Sequence, residues 1–295
     1  MRSRLPGLGL LLLLGASGCK WDLGQVLFHP TVEERVKESL SGSLTQPQPV
    51  AVDPDSFRFA VFGDIHIKHD TLNRLSRFKQ DVAPRGIGFF CVLGDLAHDG
   101  AADEYARAES MLSVVGIPYY ATIGNHDLYQ ADGWSSFKGG FGPSCYSVVI
   151  AGRLKLIFLD TADGTIGATQ FDWLEEQLND GGPHWKIVGT HYPVYDGITP
   201  SMWRLASAAE RAKLQSLLRD YRAYAYVAGH IHGWRYARVA GVNHFTVGTM
   251  PPTDAELDYG KPGYMIFTFA HDSLSWERVD FLSACGHAQA GEPGR

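Results

Sequence analysis

The sequence is poor in cysteine, and its few cysteines are widely separated. Only 4 of its 295 residues are Cys, and no two of them form a Cys-x-x-Cys pair. A disulfide scaffold and a structural zinc site are therefore both excluded. Cys91 lies in an apolar segment and is predicted to be an inert core residue. Cys145 and Cys285 would pair only in an oxidising compartment, and the sequence leaves that pairing open.

The sequence also lacks an excess of positive charge. It contains 26 Lys and Arg against 32 Asp and Glu, which gives a formal net charge of −6. General nucleic-acid binding needs clustered basic residues, so no nucleic-acid partner is expected. An acidic surface still admits small anionic substrates if bound metal ions dominate the local field. The 45% hydrophobic content is enough for one large core.

No hydrophobic run is long enough to span a bilayer. The N-terminal run Leu8–Leu14 follows Arg2 and Arg4 and precedes several small residues. This layout predicts a secretory signal peptide over residues 1–18. Cys19 then stands where bacterial lipoproteins carry their lipidated cysteine, which predicts an exported, membrane-anchored protein facing the periplasm or the exterior. The alternative is an ordinary signal peptide, with Cys19 incidental.

The segment after the signal peptide is predicted to lie outside the main domain. Within residues 19–56, Val32–Leu40 has the spacing of a short amphipathic helix, and residues 41–54 read as a linker. This segment is expected to space the domain from a membrane anchor. The alternative is that the helix packs against the domain. One domain is predicted over residues 57–283, followed by a tail at 284–295.

The remainder of the chain alternates between apolar strands and amphipathic helices. Strands are predicted at residues 57–62, 87–93, 119–123, 145–150, 154–159, 185–190, 224–228, 235–239, 244–247, 264–270 and 274–279. Helices are predicted at 71–82, 101–115, from about 170 and from 207 to about 220. The early strand–helix rhythm predicts βαβ units with parallel strands. The later strands include a hairpin, so the fold class is α/β with a mixed sheet or two packed sheets and helices outside.

Two of the predicted helices begin with a capping-box pattern. Thr169 and Asp172 are placed to cap the first of them, and Ser207 and Glu210 the second. In each pair, the N-cap hydroxyl and the acidic side chain are expected to satisfy each other's backbone N–H groups.

Polar side chains follow five of the predicted strands, each next to a glycine. These motifs are Gly63-Asp64-Ile65-His66, Gly94-Asp95, Gly124-Asn125-His126-Asp127, Gly189-Thr190-His191 and Gly229-His230-Ile231-His232. Loops at the carboxyl ends of parallel strands converge in space, and α/β proteins bind their ligands there. The motifs are therefore predicted to meet in one cleft.

The candidate metal ligands are carboxylate, amide and imidazole groups. They are Asp64, His66, Asp95, Asn125, His191, His230 and His232. This mixture suits Mn, Fe or Zn better than Ca or Mg. A carboxylate can bridge two ions, and two adjacent ions are a device for hydrolysing phosphate esters.

The ordered series of motifs resembles the calcineurin-like metallophosphoesterase superfamily over about residues 57–250. The resemblance implies a four-layer αββα sandwich, with two mixed β-sheets stacked face to face and flanked by helices. It implies two divalent or trivalent metal ions (Mn, Fe or Zn) that share Asp95. The first ion would also bind Asp64, His66 and His232, and the second would bind Asn125, His191 and His230.

The resemblance also implies catalytic functions for the two residues that follow Asn125. His126 would act as a general acid on the leaving-group oxygen or stabilise the charged phosphoryl group. Asp127 would hold His126 in place through a hydrogen bond. Purple acid phosphatases, one branch of the superfamily, have a tyrosine ligand at the position of His98 and lack a histidine at that of His66. The chain is therefore more similar to the cyclic-nucleotide-phosphodiesterase-like branch.

The predicted activity is hydrolysis of small phosphomonoesters or phosphodiesters by direct attack of a metal-bridging hydroxide. The alternative is a catalytically silent metal-binding scaffold of the same fold. Aromatic residues in two predicted loops, Trp134 in 129–144 and Trp203 in 192–204, are candidates for substrate contact. Equally, these rings could pack the loops against the domain.

Overall fold

The computed structural model describes residues 29–68, 74–194, 203–248, 250, 262–281 and 289–290. The predicted signal peptide, Cys19, Cys285 and most of the tail lie outside these residues. Among the described residues, no helix combines the length and apolar character needed to cross a membrane.

The domain contains two six-stranded sheets. The first consists, in spatial order, of Gln289–Ala290 (β12), Ser273–Asp280 (β11), Gly263–Ala270 (β10), Ser56–Phe62 (β1), Ile87–Leu93 (β2) and Tyr119–Thr122 (β3). The second consists of Tyr146–Ile150 (β4), Leu154–Phe158 (β5), Trp185–Thr190 (β6), Ala225–Ala228 (β7), Val242–Thr246 (β9) and Arg235–Val239 (β8). Both sheets are mixed. β1, β2 and β3 run parallel, as do β5, β6, β7 and β9, and antiparallel strands complete both sheets.

Helices cover the outer faces of both sheets. They are Val32–Leu40 (α1), Arg74–Arg85 (α2), Ala102–Val114 (α3), Gly133–Phe141 (α4), Ala168–Asn179 (α5) and Ala208–Asp220 (α6). Phe59 of β1 and Phe158 of β5 belong to one apolar core between the sheets. The outer face of the first sheet packs with α2 and α3, and that of the second with α5 and α6. The predicted four-layer αββα sandwich is confirmed.

Helix α1 packs against the domain. The Arg35 guanidinium donates to both oxygens of Asp160 at 2.9 Å and to Asp163 at 3.1 Å. The side chains of Arg35 and Asp160 are fully buried. On the same helix, Glu38 accepts a 2.7 Å hydrogen bond from the indole of Trp134. Of the two alternatives left open by the sequence, packing against the domain is the one found for this helix.

The helix caps differ from the predicted pattern. The N-cap of α5 is Gly167, and Thr169 donates to Glu33 of α1 instead of capping its own helix. Ser207 does cap α6, by accepting from the backbone N–H of Glu210. The Glu210 carboxylate, however, accepts from the backbone N–H of Gly167 at 3.0 Å, so it stabilises the start of α5.

The predicted loop 129–144 is largely helical. Residues 133–141 form α4, and Trp134 and Phe137 on this helix are only 2% and 0% exposed. These rings therefore pack the helix against the domain and are unavailable for substrate contact.

Candidate metal centre

The five motifs meet where the carboxyl ends of strands from both sheets come together. Asp64 and His66 follow β1, Asp95 follows β2, and Asn125 follows β3 in the first sheet. His191, His230 and His232 follow β6 and β7 in the second sheet. All seven predicted ligands thus lie along the seam between the sheets.

Two glycines allow the motif loops to approach each other closely. A Cβ atom at Gly124 would lie 2.2 Å from the Asp95 carboxylate, and one at Gly94 would lie 2.5 Å from the His191 ring. Any larger residue at either position would displace a predicted ligand. The glycines of these two motifs are therefore required by packing.

Five of the seven predicted ligands have a left-handed backbone conformation. Their φ angles are 53° at Asp64, 41° at His66, 52° at Asp95, 71° at His230 and 50° at His232. L-residues rarely adopt this region, because the Cβ atom crowds the backbone. Such strain persists only where the surrounding structure imposes it, and it is concentrated at functional sites.

The first group of ligand atoms comes from Asp64, His66, Asp95 and His232, and all four lie within 4.8 Å of one another. The Nε2 atoms of His66 and His232 are 3.0 Å apart. His66 Nε2 lies 3.5 Å from Asp95 Oδ2, and His232 Nε2 lies 3.6 Å from Asp64 Oδ1. Ring nitrogens and carboxylate oxygens therefore point at one small volume.

The second group contains Asp95, His191 and His230, and Asn125 extends it. His191 Nε2 lies 3.3 Å from Asp95 Oδ2, 3.0 Å from Asn125 Oδ1 and 3.2 Å from His230 Nδ1. The other ring nitrogen of His191 faces the backbone carbonyl of Leu93 at 2.9 Å. That contact fixes the ring orientation, as hydrogen bonds behind metal-ligating histidines commonly do. Asp95 belongs to both groups.

The electrostatics of the site suit the binding of metal cations. Burial lowers the pKa of His66 and of His230 well below the usual range, and it lowers the pKa of His232 to about 4. These rings are therefore neutral at neutral pH, which is the form that binds metals. The buried Nδ1 atom of His66 has no hydrogen-bond partner within the described part of the chain. The chemistry of the donor set and the unprotonated state of these three histidines thus fit metal ions.

His126 lies beside the predicted ligands and is held mainly by backbone contacts. Its ring centroid is 4.5 Å from that of His66, and its backbone N–H donates to Asp95 Oδ1 at 2.9 Å. The Nδ1 atom of its ring lies 2.7 Å from the carbonyl oxygen of His98. His126 therefore lies beside both groups of candidate ligands.

The Asp127 carboxylate does not make the predicted hydrogen bond to the His126 ring. It accepts instead from the backbone N–H groups of Ala97 at 2.9 Å and Gly124 at 2.8 Å. Asp127 thus ties the loop after β2 to the loop after β3, while the His98 carbonyl orients the His126 ring. The sequence could not reveal this partner, because the His98 contact is made by the backbone.

Three aromatic residues lie near the candidate ligands, and two of them, Tyr192 and Tyr129, were not among the predicted contacts. Tyr192 stacks on His230 with ring centroids 3.8 Å apart, and the Trp203 ring lies 5.6 Å from His230. Trp203 was predicted as a candidate contact, whereas residues 195–202 of the same predicted loop lie outside the described residues. Tyr129 packs on His126 with centroids 4.3 Å apart. Tyr129 follows His126 by three residues. This spacing was the sequence signal that could have indicated the contact, because side chains at i and i+3 eclipse in a 3₁₀ turn.

Residues 57–234 match the family described as calcineurin-like phosphoesterase. The chain belongs to this family. Among its relatives is a "probable cyclic nucleotide phosphodiesterase" of Synechococcus sp., which is 27% identical over 200 residues, or 62% of this chain and 76% of the relative. Membership in the family, together with its similarity to this relative, identifies the chain as a metal-dependent phosphoric ester hydrolase.

Two solved structures show the same fold. A purple acid phosphatase from yellow lupin superposes with a TM-score of 0.66 at 17% identity, covering 82% of this chain and 54% of the other. A dimetal phosphatase from Danio rerio gives a TM-score of 0.61 at 13% identity, covering 80% and 99%. At these identities the likeness concerns the fold alone.

Proposed function

We propose that this chain hydrolyses small phosphomonoesters or phosphodiesters at a centre of two metal ions, by direct attack of water. The observation that carries this proposal is that one buried carboxylate, Asp95, belongs to two adjacent groups of ligand atoms. Asp95 Oδ2 faces both groups, at 3.5 Å from His66 Nε2 and 3.3 Å from His191 Nε2, so this residue would help to hold both ions. The residues that would hold the pair are Asp64, His66, Asp95, Asn125, His191, His230 and His232.

The chemistry of the donors limits which ions would bind. Four imidazoles, two carboxylates and one amide favour Mn, Fe or Zn over Mg or Ca. When bound, such a pair lowers the pKa of a coordinated water and neutralises charge on the phosphoryl oxygens. The residues of the chain supply the geometry, because the candidate ligands come from both sheets and five of the seven are buried.

His126 would assist departure of the leaving group. Its Nδ1 atom faces the His98 carbonyl, which can only accept, so Nδ1 carries a proton. The doubly protonated ring could then donate from Nε2 to the leaving-group oxygen as the bond from phosphorus to that oxygen breaks. In the same position it would also stabilise negative charge on the phosphoryl group. Asp127 would contribute by fixing the backbone on which His126 is carried.

The similarity to the probable cyclic nucleotide phosphodiesterase of Synechococcus sp. supports phosphodiesters as one substrate class. The predicted export of this chain instead favours small exogenous phosphate esters or lipid phosphates over cytosolic messengers. We therefore propose that the substrate is a small phosphate ester. The assay described next distinguishes a preference for monoesters from one for diesters.

The test combines metal analysis with turnover. Purified protein is analysed for Mn, Fe and Zn, and is assayed with p-nitrophenyl phosphate and bis-p-nitrophenyl phosphate. We expect about two metal ions per chain and metal-dependent hydrolysis of at least one ester. Two bound ions without turnover of either ester would favour the silent scaffold, and absence of metal after reconstitution would refute the proposed centre.

The His126→Ala variant tests the catalytic residue separately. It should keep its metals and lose turnover by roughly a hundredfold or more, because only the proton donor is removed. His184→Ala is the control, since His184 is exposed and precedes β6, at the end of that strand opposite His191. Equal turnover in both variants would remove His126 from the mechanism.

We also propose that the protein is exported and anchored to a membrane surface through a lipidated Cys19. Expression of the full chain in a bacterium should place it in the membrane fraction, and Cys19→Ser should release it. Recovery of both forms in the soluble fraction would favour the ordinary signal peptide.

A further inference from the structure

Tyr129 connects a predicted metal ligand to the candidate proton donor. Its hydroxyl lies 3.3 Å from Nδ2 of Asn125 and 3.3 Å from Nε2 of His126. Its ring also packs on the His126 ring, at a centroid distance of 4.3 Å and an interplanar angle of 33°. One hydroxyl group thus contacts both neighbours, within a segment of five residues.

The directions of these hydrogen bonds follow from the surrounding acceptors. The Nδ1 atom of His126 must donate, because its partner is the His98 carbonyl at 2.7 Å. In the neutral ring Nε2 is then an acceptor, so the single hydroxyl hydrogen of Tyr129 points to it. The Tyr129 oxygen is left to accept from Asn125.

This arrangement selects one orientation of the Asn125 amide. With Nδ2 donating to Tyr129, Oδ1 faces the other way and lies 3.0 Å from His191 Nε2, inside the second ligand group. A flipped amide would present its NH₂ group there, and an NH₂ group does not bind metals. The Tyr129 hydroxyl cannot stabilise the flipped form while its hydrogen is shared with His126.

We propose that Tyr129 is a positioning residue that holds Asn125 ready to bind metal and His126 ready to transfer a proton. This inference rests on the proposed function. The neutral ring described above is the state before the ring takes up a second proton from solvent. In the reaction, the doubly protonated ring gives its Nε2 proton to the leaving-group oxygen as the phosphorus–oxygen bond breaks, and Nε2 then accepts again from the Tyr129 hydroxyl. Tyr129 itself gives up no proton in the overall step. Its effect is to limit the movement of the two groups between which it lies.

The test is Tyr129→Phe, which removes only the hydroxyl and keeps the ring packed on His126. Activity is measured with p-nitrophenyl and phenyl phosphate, or with the matching diesters, whichever class the wild-type protein hydrolyses. Phenolate is the poorer leaving group and depends more on protonation. We expect kcat to fall roughly tenfold for the phenyl ester and less for the p-nitrophenyl ester, with KM nearly unchanged.

A second measurement does not depend on turnover. Chelator-treated Tyr129→Phe protein is titrated with Mn²⁺ and should bind one of two ions severalfold more weakly, because the Asn125 amide is no longer fixed. Tyr221→Phe is the control: its hydroxyl bonds to Glu175 on the protein surface, and its removal should change neither the metal affinity nor the ester preference.

A double-mutant cycle separates positioning from a general structural effect. If Tyr129 acts on catalysis through His126, its substitution should add little further loss of kcat in a His126→Ala background. An undiminished loss in that background, an equal loss for both leaving groups, or unchanged Mn²⁺ binding together with unchanged kcat would overturn the inference. Lack of turnover in the wild-type protein would instead refute the proposed function.

Discussion

At the scale of single residues, the candidate centre is marked by backbone strain. Five candidate ligands have positive φ although none of them is glycine: Asp64, His66, Asp95, His230 and His232. A left-handed L-residue costs roughly 1–2 kcal/mol. The fold therefore gives up stability to direct these side chains at one point, as expected where function selects the conformation.

The strain at His232 predicts a reversed order of stability for two substitutions. In metal-free protein, His232→Gly should be more stable than His232→Ala by about 1 kcal/mol, because glycine adopts φ of 50° without strain. Urea unfolding measures the difference. The same pair of substitutions at Lys37, an exposed helical position, provides the control and should favour Ala. An alanine variant more stable at both sites would contradict the strain argument.

Protonation of two predicted ligands predicts pH-dependent metal binding. Burial raises the pKa of Asp64 to about 8. Burial acts against the charge on His191, but Asp95 outweighs it and raises the pKa of His191 to about 9. Both groups are thus protonated at neutral pH in the metal-free protein and must lose protons to bind metal.

The apparent metal affinity should therefore rise as pH increases from 6.5 to 9, by on the order of tenfold per pH unit for each proton released. Calorimetric titration with Mn²⁺ in buffers of different ionisation enthalpy measures both the affinity and the number of protons. Affinity that is constant over this range would contradict the assigned protonation states.

At the scale of elements, helix α1 shows that the spacing of apolar residues predicts a helix but not its tertiary contacts. The spacing of its apolar residues correctly predicted a helix at Val32–Leu40. It did not identify Arg35 as a buried partner of Asp160, because the two residues are 125 positions apart and Arg is usually a surface residue. The helix caps show the same limit of local sequence patterns. Glu210 fits a capping box of its own helix, α6, yet its carboxylate accepts from the backbone N–H of Gly167 at the start of α5.

The Arg35 ion pair predicts that α1 contributes strongly to stability. Arg35→Met should lower the free energy of unfolding by about 3–5 kcal/mol, since it leaves the Asp160 carboxylate buried without its cation. Denaturant unfolding measures the loss. Lys37→Met removes a cation from the exposed face of the same helix and should have little effect. Adding Asp160→Asn to Arg35→Met should recover part of the loss. Equal losses of unfolding free energy for Arg35→Met and Lys37→Met would show that the Arg35 ion pair does not stabilise the fold.

At the scale of the whole molecule, both sheets contribute ligands to one centre. Strands β1 to β3 supply Asp64, His66, Asp95 and Asn125, whereas β6 and β7 supply the three remaining histidines. Bound ions would therefore hold the two sheets together at their seam. The architecture and the convergence of the seven candidate ligands were predictable, because strand-end motifs follow from local sequence. The contacts of Asp127 and Tyr129 were not, because they depend on how separate loops close on one another.

This shared seam predicts that metal removal lowers global stability. Metal at a hundredfold excess over its Kd should stabilise the folded protein by about 2.7 kcal/mol for each ion. Chelation should accordingly lower the Tm by several degrees, as followed by thermal unfolding with and without Mn²⁺. Asp95→Asn, which replaces the carboxylate that would be shared by both ions with an amide, should reduce this response. A Tm independent of metal in the wild-type protein would show that the ions do not connect the sheets.

The packing of α1 also sets how far the catalytic centre can move from its proposed anchor. If Cys19 carries lipid, only the 12 residues 20–31 separate it from a helix fastened to the domain. The 13 residue steps from Cys19 to Val32 span at most about 45 Å, however the segment is folded. The enzyme would then remain within a thin layer next to the bilayer. It would encounter esters in or near the lipid headgroups far more often than esters in the bulk fluid.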